Sequence, residues 1–178
     1  MIIGVTGLMG SGKTTLCREI IKNNPEIVYI NVDELRSVLI EDSLFMENLS
    51  KLLNKNIKDR ASLNEEIYSN EKSMNVYKTL LCKKLTDELS KYKSETVLVE
   101  WALIIKDNLI NMFDKLIIIN FDTDYILKNR KFDDLSKEEV KRRLDIQSDQ
   151  FLDFSDIGIP YLIHKDLEET INFIREGE

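Results

Sequence analysis

The sequence predicts an α/β fold, in which helices cover a parallel β-sheet. Apolar runs that are short enough for one buried strand occur at residues 2–6, 97–99 and 116–121. They alternate with longer segments whose apolar residues follow helical spacing. Nearly unbroken apolar runs are typical of parallel strands that are buried on both faces. With 178 residues, the chain is long enough to form one domain of this kind.

The first apolar run leads directly into the segment GLMGSGKT, residues 7–14, and a helical pattern follows it. This segment matches G-x-x-x-x-G-K-[ST] in the strand–loop–helix context that a phosphate-binding P-loop requires. The backbone N–H groups of such a loop and the N-terminus of the next helix bind nucleotide phosphates. We therefore expect the nucleotide contacts to come from Leu8, Met9, Gly10, Ser11, Gly12, Lys13, Thr14 and Thr15.

Two side chains of this loop have predicted roles of their own. We expect Lys13 to bind the β- and γ-phosphates of ATP as a catalytic residue, and the Thr14 hydroxyl to coordinate Mg²⁺. The glycines of the loop do not follow the spacing G-x-G-x-x-G that is found in dinucleotide-binding folds. The prediction is a P-loop NTPase fold with ATP and Mg²⁺ as cofactors.

The second strand, predicted at residues 27–30, is followed by Asn31, Val32 and Asp33. A carboxylate at this place faces the crevice beyond the carboxyl ends of the strands, where open α/β sheets bind their ligands. We predict that Asp33 is a catalytic residue and lies near the metal. Because a helical pattern follows it, Asp33 could also cap that helix, and the two roles are compatible.

Residues 34–92 contain no convincing strand, and their apolar residues recur at helical spacing. Ser62 and Glu65 have the form of a capping box, which predicts that a second helical block begins near residue 62. We interpret residues 34–92 as a helical insertion that holds the phosphoryl acceptor, within a single domain of residues 1–178. Periodicity alone is also consistent with helices that only cover the sheet.

The third strand, residues 96–100, ends in Glu100. An acidic residue at this point can order the water shell of the Mg²⁺ ion in a P-loop protein. An ordinary charge at the end of a strand is the alternative. We predict that Glu100 belongs to the metal site together with Thr14 and Asp33.

The fourth strand is predicted at residues 113–121 and is followed by two helical segments, the second of which begins at the capping box of Ser136 and Glu139. Basic residues concentrate here in an otherwise acidic chain: Lys128, Arg130, Lys131, Lys141, Arg142 and Arg143. One interpretation is surface ion pairing, between Glu138 and Arg142 and between Glu139 and Arg143. The other is a short lid over residues 128–147, which neutralises the charge of the transferred group. We favour the lid, with Arg130 and Arg143 as catalytic residues.

A break at residues 158–160 precedes a last short strand at 161–163 and a closing helix at 166–175. The five strands are expected to form a parallel sheet of order 2-3-1-4-5 in a three-layer sandwich. His164, the only histidine, ends the last strand, and phosphoryl transfer does not require it.

The composition limits the classes of partner. The net charge is −7, so no overall positive field favours nucleic acid or an anionic membrane. Two cysteines make neither a disulfide framework nor a metal site, which favours a reduced, cytoplasmic setting. Because the first strand is predicted to begin at residue 2, we expect no signal peptide, and no apolar run is long enough to span a bilayer. We expect a cytoplasmic monomer or small homo-oligomer that binds ATP and a small-molecule acceptor.

Taken together, these motifs resemble the dephospho-CoA kinase family. Residues 4–15 look like its opening G-L-T-G-G-I-G-S-G-K-[ST], and residues 31–33 stand at its D-A-D. Residues 60–70 resemble its R-x-x-L…V-F segment, and residues 136–147 resemble its lid helix, S-x-E-E-A…R-I-x-x-Q. The chain departs from the family pattern at Asn31, which replaces the first acid of D-A-D, and at Glu100, which begins the segment in place of D-x-P-L-L.

The resemblance implies a phosphotransferase of coenzyme A biosynthesis, which phosphorylates the ribose 3′-hydroxyl of dephospho-CoA with ATP. It also implies that Asp33 lies near the acceptor hydroxyl. Two other functions remain open at this point: a P-loop kinase for a nucleoside, a nucleotide or another small metabolite, and a nucleotide-binding regulatory module that turns over no small substrate.

Overall fold

The structure, a computed structural model, describes residues 1–130, 132, 136–148, 154 and 157–176. The strands are β1 (Ile2–Gly7), β2 (Val28–Asn31), β3 (Val97–Glu100), β4 (Lys115–Ile119) and β5 (Tyr161–Ile163). The α-helices are α1 (Lys13–Asn23), α2 (Val32–Glu41), α3 (Ser43–Leu53), α4 (Arg60–Ser69), α5 (Glu71–Leu89), α6 (Thr123–Asn129), α7 (Lys137–Ser148) and α8 (Leu167–Arg175). A 3₁₀ turn, Ile110–Met112, precedes β4. Within these described residues, no helix is both long and apolar enough to cross a membrane.

The five strands form one parallel sheet of order β2-β3-β1-β4-β5, which confirms the predicted topology. Because β1 is the central strand, five of its six residues are buried, whereas β5 is partly exposed at the edge. The carboxyl ends of β2 and β3 are level, since Asn31 is the register partner of Glu100. Val5 of β1 is also a partner of Glu100, and β1 continues beyond it to Gly7. This edge of the sheet therefore brings β2, β3 and the loop after β1 together.

Alternate residues of the central strands face a common core. Ile3 and Val5 of β1 pack with Leu98 and Ile117 of the neighbouring strands in one buried cluster. The same cluster contains Leu16, Cys17 and Ile20 of α1 and Ile174 of α8. Helices α1 and α8 thus cover one face of the sheet. The packing of α1 against the central strands fixes the helix that follows the phosphate-binding loop.

Contacts divide the chain into two compact units. The first consists of Met1–Asn31 and of the chain from Ser94 onward, and it contains the sheet with α1, α6, α7 and α8. The second, Val32–Lys93, contains α2 to α5 and has buried residues of its own, such as Leu49, Leu63 and Leu85. A single domain with an acceptor-binding insertion and a lid stays a prediction.

The start of α4 corrects one sequence prediction. Asp59, and not Ser62, caps this helix, because the Asp59 carboxylate accepts a hydrogen bond from the Ser62 N–H at 2.8 Å. The Ser62 hydroxyl in turn accepts the Asp59 N–H at 3.1 Å, which completes a capping box one turn earlier than predicted. The prediction was wrong because Asp59 is an equally good capping residue three positions before Ser62.

Candidate active site

The loop between β1 and α1 turns tightly at two glycines. Gly10 and Gly12 have φ values of +73° and +97°, in the left-handed region that other residues rarely adopt. A Cβ atom on Gly10 would also lie 2.7 Å from a ring atom of Phe132. Any other residue would therefore strain the backbone at Gly12. At Gly10 it would strain the backbone and also clash with Phe132.

Lys13 is the first residue of α1 and is 8% exposed. Its ammonium group donates to the carbonyl oxygens of Gly7 and Leu8, both at 3.0 Å. The backbone of the loop thus holds a buried positive charge at the place where the motif predicts phosphate binding.

The surroundings of Lys13 also favour an anion. The N-terminus of α1 has no side-chain cap and no acidic residue in its first turn. The Ser11 hydroxyl is buried and has no hydrogen-bond partner among the described residues. The N-terminal end of a helix carries a partial positive charge, and a buried hydroxyl without an acceptor is costly. A phosphate group would satisfy both.

Glu100, the last residue of β3, is a buried carboxylate that is 6% exposed. Its Oε1 accepts a hydrogen bond from the Thr14 hydroxyl at 2.7 Å. Its Oε2 accepts hydrogen bonds from the Tyr29 hydroxyl and from the Asn31 side-chain amide, the latter at 3.1 Å. The structure therefore brings the predicted metal residues Thr14 and Glu100 together.

Tyr29 and Asn31 were not predicted as site residues. Burial, followed by the hydrogen bond to Glu100, raises the pKa of Tyr29, so its hydroxyl stays a proton donor at neutral pH. A signal for both residues was present in the sequence. They alternate on β2 and thus share a face, and the predicted strand order places β2 beside β3.

The predicted lid contacts the loop at two points. One guanidinium nitrogen of Arg130, just after α6, lies 3.7 Å from the position that a Cβ atom on Gly12 would occupy. The side-chain oxygen of Gln147, on α7, accepts a hydrogen bond from the Met9 N–H at 2.7 Å. A nucleotide that used the Met9 amide would have to replace this Gln147 oxygen. Gln147 ends the lid-helix motif in the sequence, but the motif alone indicates no contact with the loop.

Arg143, also on α7, forms an ion pair in this structure. Its Nε donates to Glu139 at 2.7 Å, as the four-residue spacing predicts, and Arg142 donates to the same carboxylate at 2.9 Å. Hydrogen bonds from the two arginines lower the pKa of Glu139 to about 2. The Ser136 hydroxyl accepts the Glu139 N–H bond and so makes half of the predicted capping box.

Asp33 lies in the second unit, is exposed, and is the second residue of α2. It is therefore not the residue that precedes the helix, as the capping alternative required. In the first turn of a helix a negative charge is stabilised by the helix dipole.

Comparisons with known proteins agree with this geometry. The sequence profile of the family described as dephospho-CoA kinase matches residues 1–152. The dephospho-CoA kinase of Chlorobium luteolum is 22% identical over 188 aligned positions, which cover 95% of this chain and 84% of the relative.

Solved structures support the fold. TT1252 from Thermus thermophilus superposes with a TM-score of 0.69 at 20% identity, covering 97% of this chain and 92% of the other. The shikimate kinase of Bacteroides thetaiotaomicron superposes with a TM-score of 0.52 at 14% identity, covering 99% and 97%. Fold, phosphate-binding loop and sequence profile agree, and the chain belongs to the dephospho-CoA kinase family, whose members are phosphotransferases that act on a hydroxyl group.

Proposed function

We propose that this protein transfers the γ-phosphoryl group of ATP to the ribose 3′-hydroxyl of dephospho-CoA, giving ADP and CoA. The acceptor oxygen forms a bond to the γ-phosphorus, and the bond from that phosphorus to the β,γ-bridging oxygen breaks. Membership of the dephospho-CoA kinase family supports both the donor and the acceptor. The structural observation that carries the proposal is the buried Lys13 ammonium, held against the loop at the uncapped N-terminus of α1.

In this proposal, the loop from Leu8 to Thr15 binds the phosphates. Lys13 exchanges its carbonyl partners for phosphate oxygens, which are stronger acceptors because they are charged. The Ser11 hydroxyl supplies a further donor. Arg130 and Arg143 bind the γ-phosphoryl group and neutralise the charge that develops on it during transfer. The nearness of Arg130 to Gly12 supports its part in this proposal.

The residues at the carboxyl edge of the sheet fit a hydrated Mg²⁺ ion. The Thr14 hydroxyl donates its proton to Glu100 and so keeps its lone pairs for a cation, and Mg²⁺ prefers oxygen ligands. Among the described residues, no group of three or more His, Cys, Asp or Glu side chains could hold a metal on its own. We therefore assign the ion to Thr14, to water ordered by Glu100 and Asp33, and to the phosphates. Bound Mg²⁺ neutralises charge on the β- and γ-phosphates.

Asp33 is proposed to orient the acceptor hydroxyl and to accept its proton. A carboxylate accepts hydrogen bonds and can serve as a general base. Asp33 is exposed in the first turn of α2. Neither Cys17 nor Cys82 forms a disulfide within the described residues, which supports our assignment of the reaction to the cytoplasm.

The test is ADP release by the purified protein with ATP and MgCl₂. We expect turnover with dephospho-CoA and a CoA product identified by its mass. Nucleosides, nucleoside monophosphates and shikimate serve as competing acceptors. Turnover with another acceptor alone would replace the proposed substrate. ATP binding without turnover of any acceptor would support a regulatory module instead.

A further inference from the structure

We infer that Tyr29 and Asn31 are positioning residues, which hold the Glu100 carboxylate in the orientation needed to bind Mg²⁺ together with ATP. This inference rests on the proposed function, because it concerns the metal site of that reaction. The observation behind it is that the two oxygens of Glu100 are divided between two partners, α1 and β2.

The strand geometry explains this division. Tyr29 and Asn31 are two residues apart on β2, so their side chains lie on one face of the sheet. Asn31 is the register partner of Glu100 on the adjacent strand. Its amide also donates to the Tyr29 hydroxyl at 3.2 Å, which closes a triangle of hydrogen bonds with Glu100. Both β2 side chains therefore bind the same carboxylate oxygen, Oε2.

A buried carboxylate is stable only when its oxygens accept hydrogen bonds. With Oε2 bound to β2, Oε1 is directed towards Thr14, whose hydroxyl donates to it. Without the Tyr29 hydroxyl, Oε2 would lose one of its two donors and the carboxylate would be freer to rotate. The Thr14 hydroxyl would then lose its fixed acceptor, and the metal its ordered surroundings.

The residue type at position 31 agrees with this role. Asn31 stands where the family pattern has an acid, and its amide donates to Glu100 at 3.1 Å. An Asp at this position would place a second carboxylate against Glu100, where like charges repel. The strand ends of β2 and β3 thus offer one carboxylate, Glu100, whose orientation depends on neutral donors.

The test compares ATP binding with and without metal in Tyr29→Phe, which removes only the hydroxyl. Titration calorimetry in EDTA should give an ATP dissociation constant within about twofold of wild type, because Tyr29 is not part of the phosphate-binding loop. The Mg²⁺ concentration for half-maximal stimulation of ATP binding should rise about tenfold to a hundredfold, as for other residues that orient metal ligands. Turnover should recover towards wild type at saturating Mg²⁺. The control is Tyr161→Phe on β5, where the side chain is 42% exposed.

Two further variants test whether the effect passes through Glu100. Asn31→Ala should also raise the Mg²⁺ concentration for half-maximal stimulation of ATP binding. If Tyr29→Phe does not fold, the result for Asn31→Ala tests the inference in its place. In a Glu100→Gln background, Tyr29→Phe should add no further change, because the carboxylate it orients is gone.

An unchanged Mg²⁺ requirement in Tyr29→Phe would overturn the inference. So would an equal loss of ATP affinity with and without Mg²⁺, since that is the result of general structural damage. If the wild-type protein does not phosphorylate dephospho-CoA but the variant still shows the Mg²⁺ shift, the proposed acceptor is wrong and the inference stands.

Discussion

Lys13 shows at the scale of one residue how a binding site is prepared. A buried ammonium group is costly unless acceptors surround it, and here the Gly7 and Leu8 carbonyls are those acceptors. Because these carbonyls are uncharged, a phosphate can replace them at a net gain. The Lys13 ammonium group is thus held in the loop and remains able to bind a nucleotide phosphate.

We expect Lys13→Ala to lower turnover by about 10²-fold to 10³-fold or more, because the variant loses a preorganised positive charge at the transferred group. ADP release measures the effect. Lys22→Ala, at the exposed end of the same helix, is the control and should match wild type. A Lys13→Ala protein with unimpaired activity would exclude the P-loop assignment.

For Asp33→Asn we expect a loss of catalysis without a loss of ATP binding. If Asp33 accepts the acceptor proton, kcat should fall by about 10²-fold to 10⁴-fold, while the ATP dissociation constant stays within about twofold of wild type. Single-turnover kinetics and calorimetry measure the two quantities. The control is Glu41→Gln, an exposed carboxylate at the end of α2. Wild-type turnover in Asp33→Asn would remove this residue from the mechanism.

Helix α7 contains both a residue that contacts the phosphate-binding loop and a candidate catalytic residue. Gln147 binds the Met9 amide, so this helix supports the phosphate-binding loop directly. Arg142 and Arg143 share one carboxylate, Glu139, and both side chains are about half exposed. The two arginines thus have nearly the same local environment but different predicted roles, which makes them a matched pair.

We expect Arg143→Met to lower kcat by about 10²-fold or more, because an arginine that neutralises the transferred phosphoryl group contributes at least this much. Arg142→Met should stay within about threefold of wild type, although it breaks an ion pair with the same Glu139. Steady-state kinetics with saturating ATP compare the two. If Arg143→Met also stays within about threefold of wild type, the two arginines act only in surface ion pairing.

For the whole molecule, we expect the stability to depend on pH through His164. Its Nδ1 lies 2.8 Å from the Thr170 hydroxyl, which itself donates to the Asp166 carbonyl, so the ring donates its Nδ1–H to Thr170. Burial lowers the pKa of His164 below its ordinary value of 6.5, and the carboxylates of Asp166, Glu169 and Glu19 oppose this shift. The folded protein therefore binds a proton at this site less readily than the unfolded chain.

The free energy of unfolding should consequently fall as the pH drops below about 6.5, where the unfolded chain takes up a proton first. Above that pH the contribution of His164 is fully present. Urea unfolding at pH 7.5 and pH 5.5 measures the change. His164→Asn should lose less stability over this interval than wild type, and an equal loss in both proteins would contradict the prediction.

Local sequence pattern was sufficient for the strands and the phosphate-binding loop, whereas the strand order was predicted from the P-loop kinase fold that the loop indicates. Each signal lies within a few neighbouring residues: apolar runs mark the strands, and the loop glycines adopt the backbone conformation that their lack of a Cβ permits. The position of Ser62 was misjudged even at this scale, because two residues of similar capping ability compete three positions apart.

Hydrogen bonds between residues that are distant in sequence could be identified only from the tertiary structure. Thr14 and Glu100 are 86 positions apart, Tyr29 and Glu100 are 71 apart, and Met9 and Gln147 are 138 apart. Sequence pattern indicated that Glu100 ends a strand, but strand register decides which side chains reach its two oxygens. Hydrogen bonds need donor and acceptor within about 3 Å, and only the assembled sheet and the helices packed on it place groups from separate elements that close together.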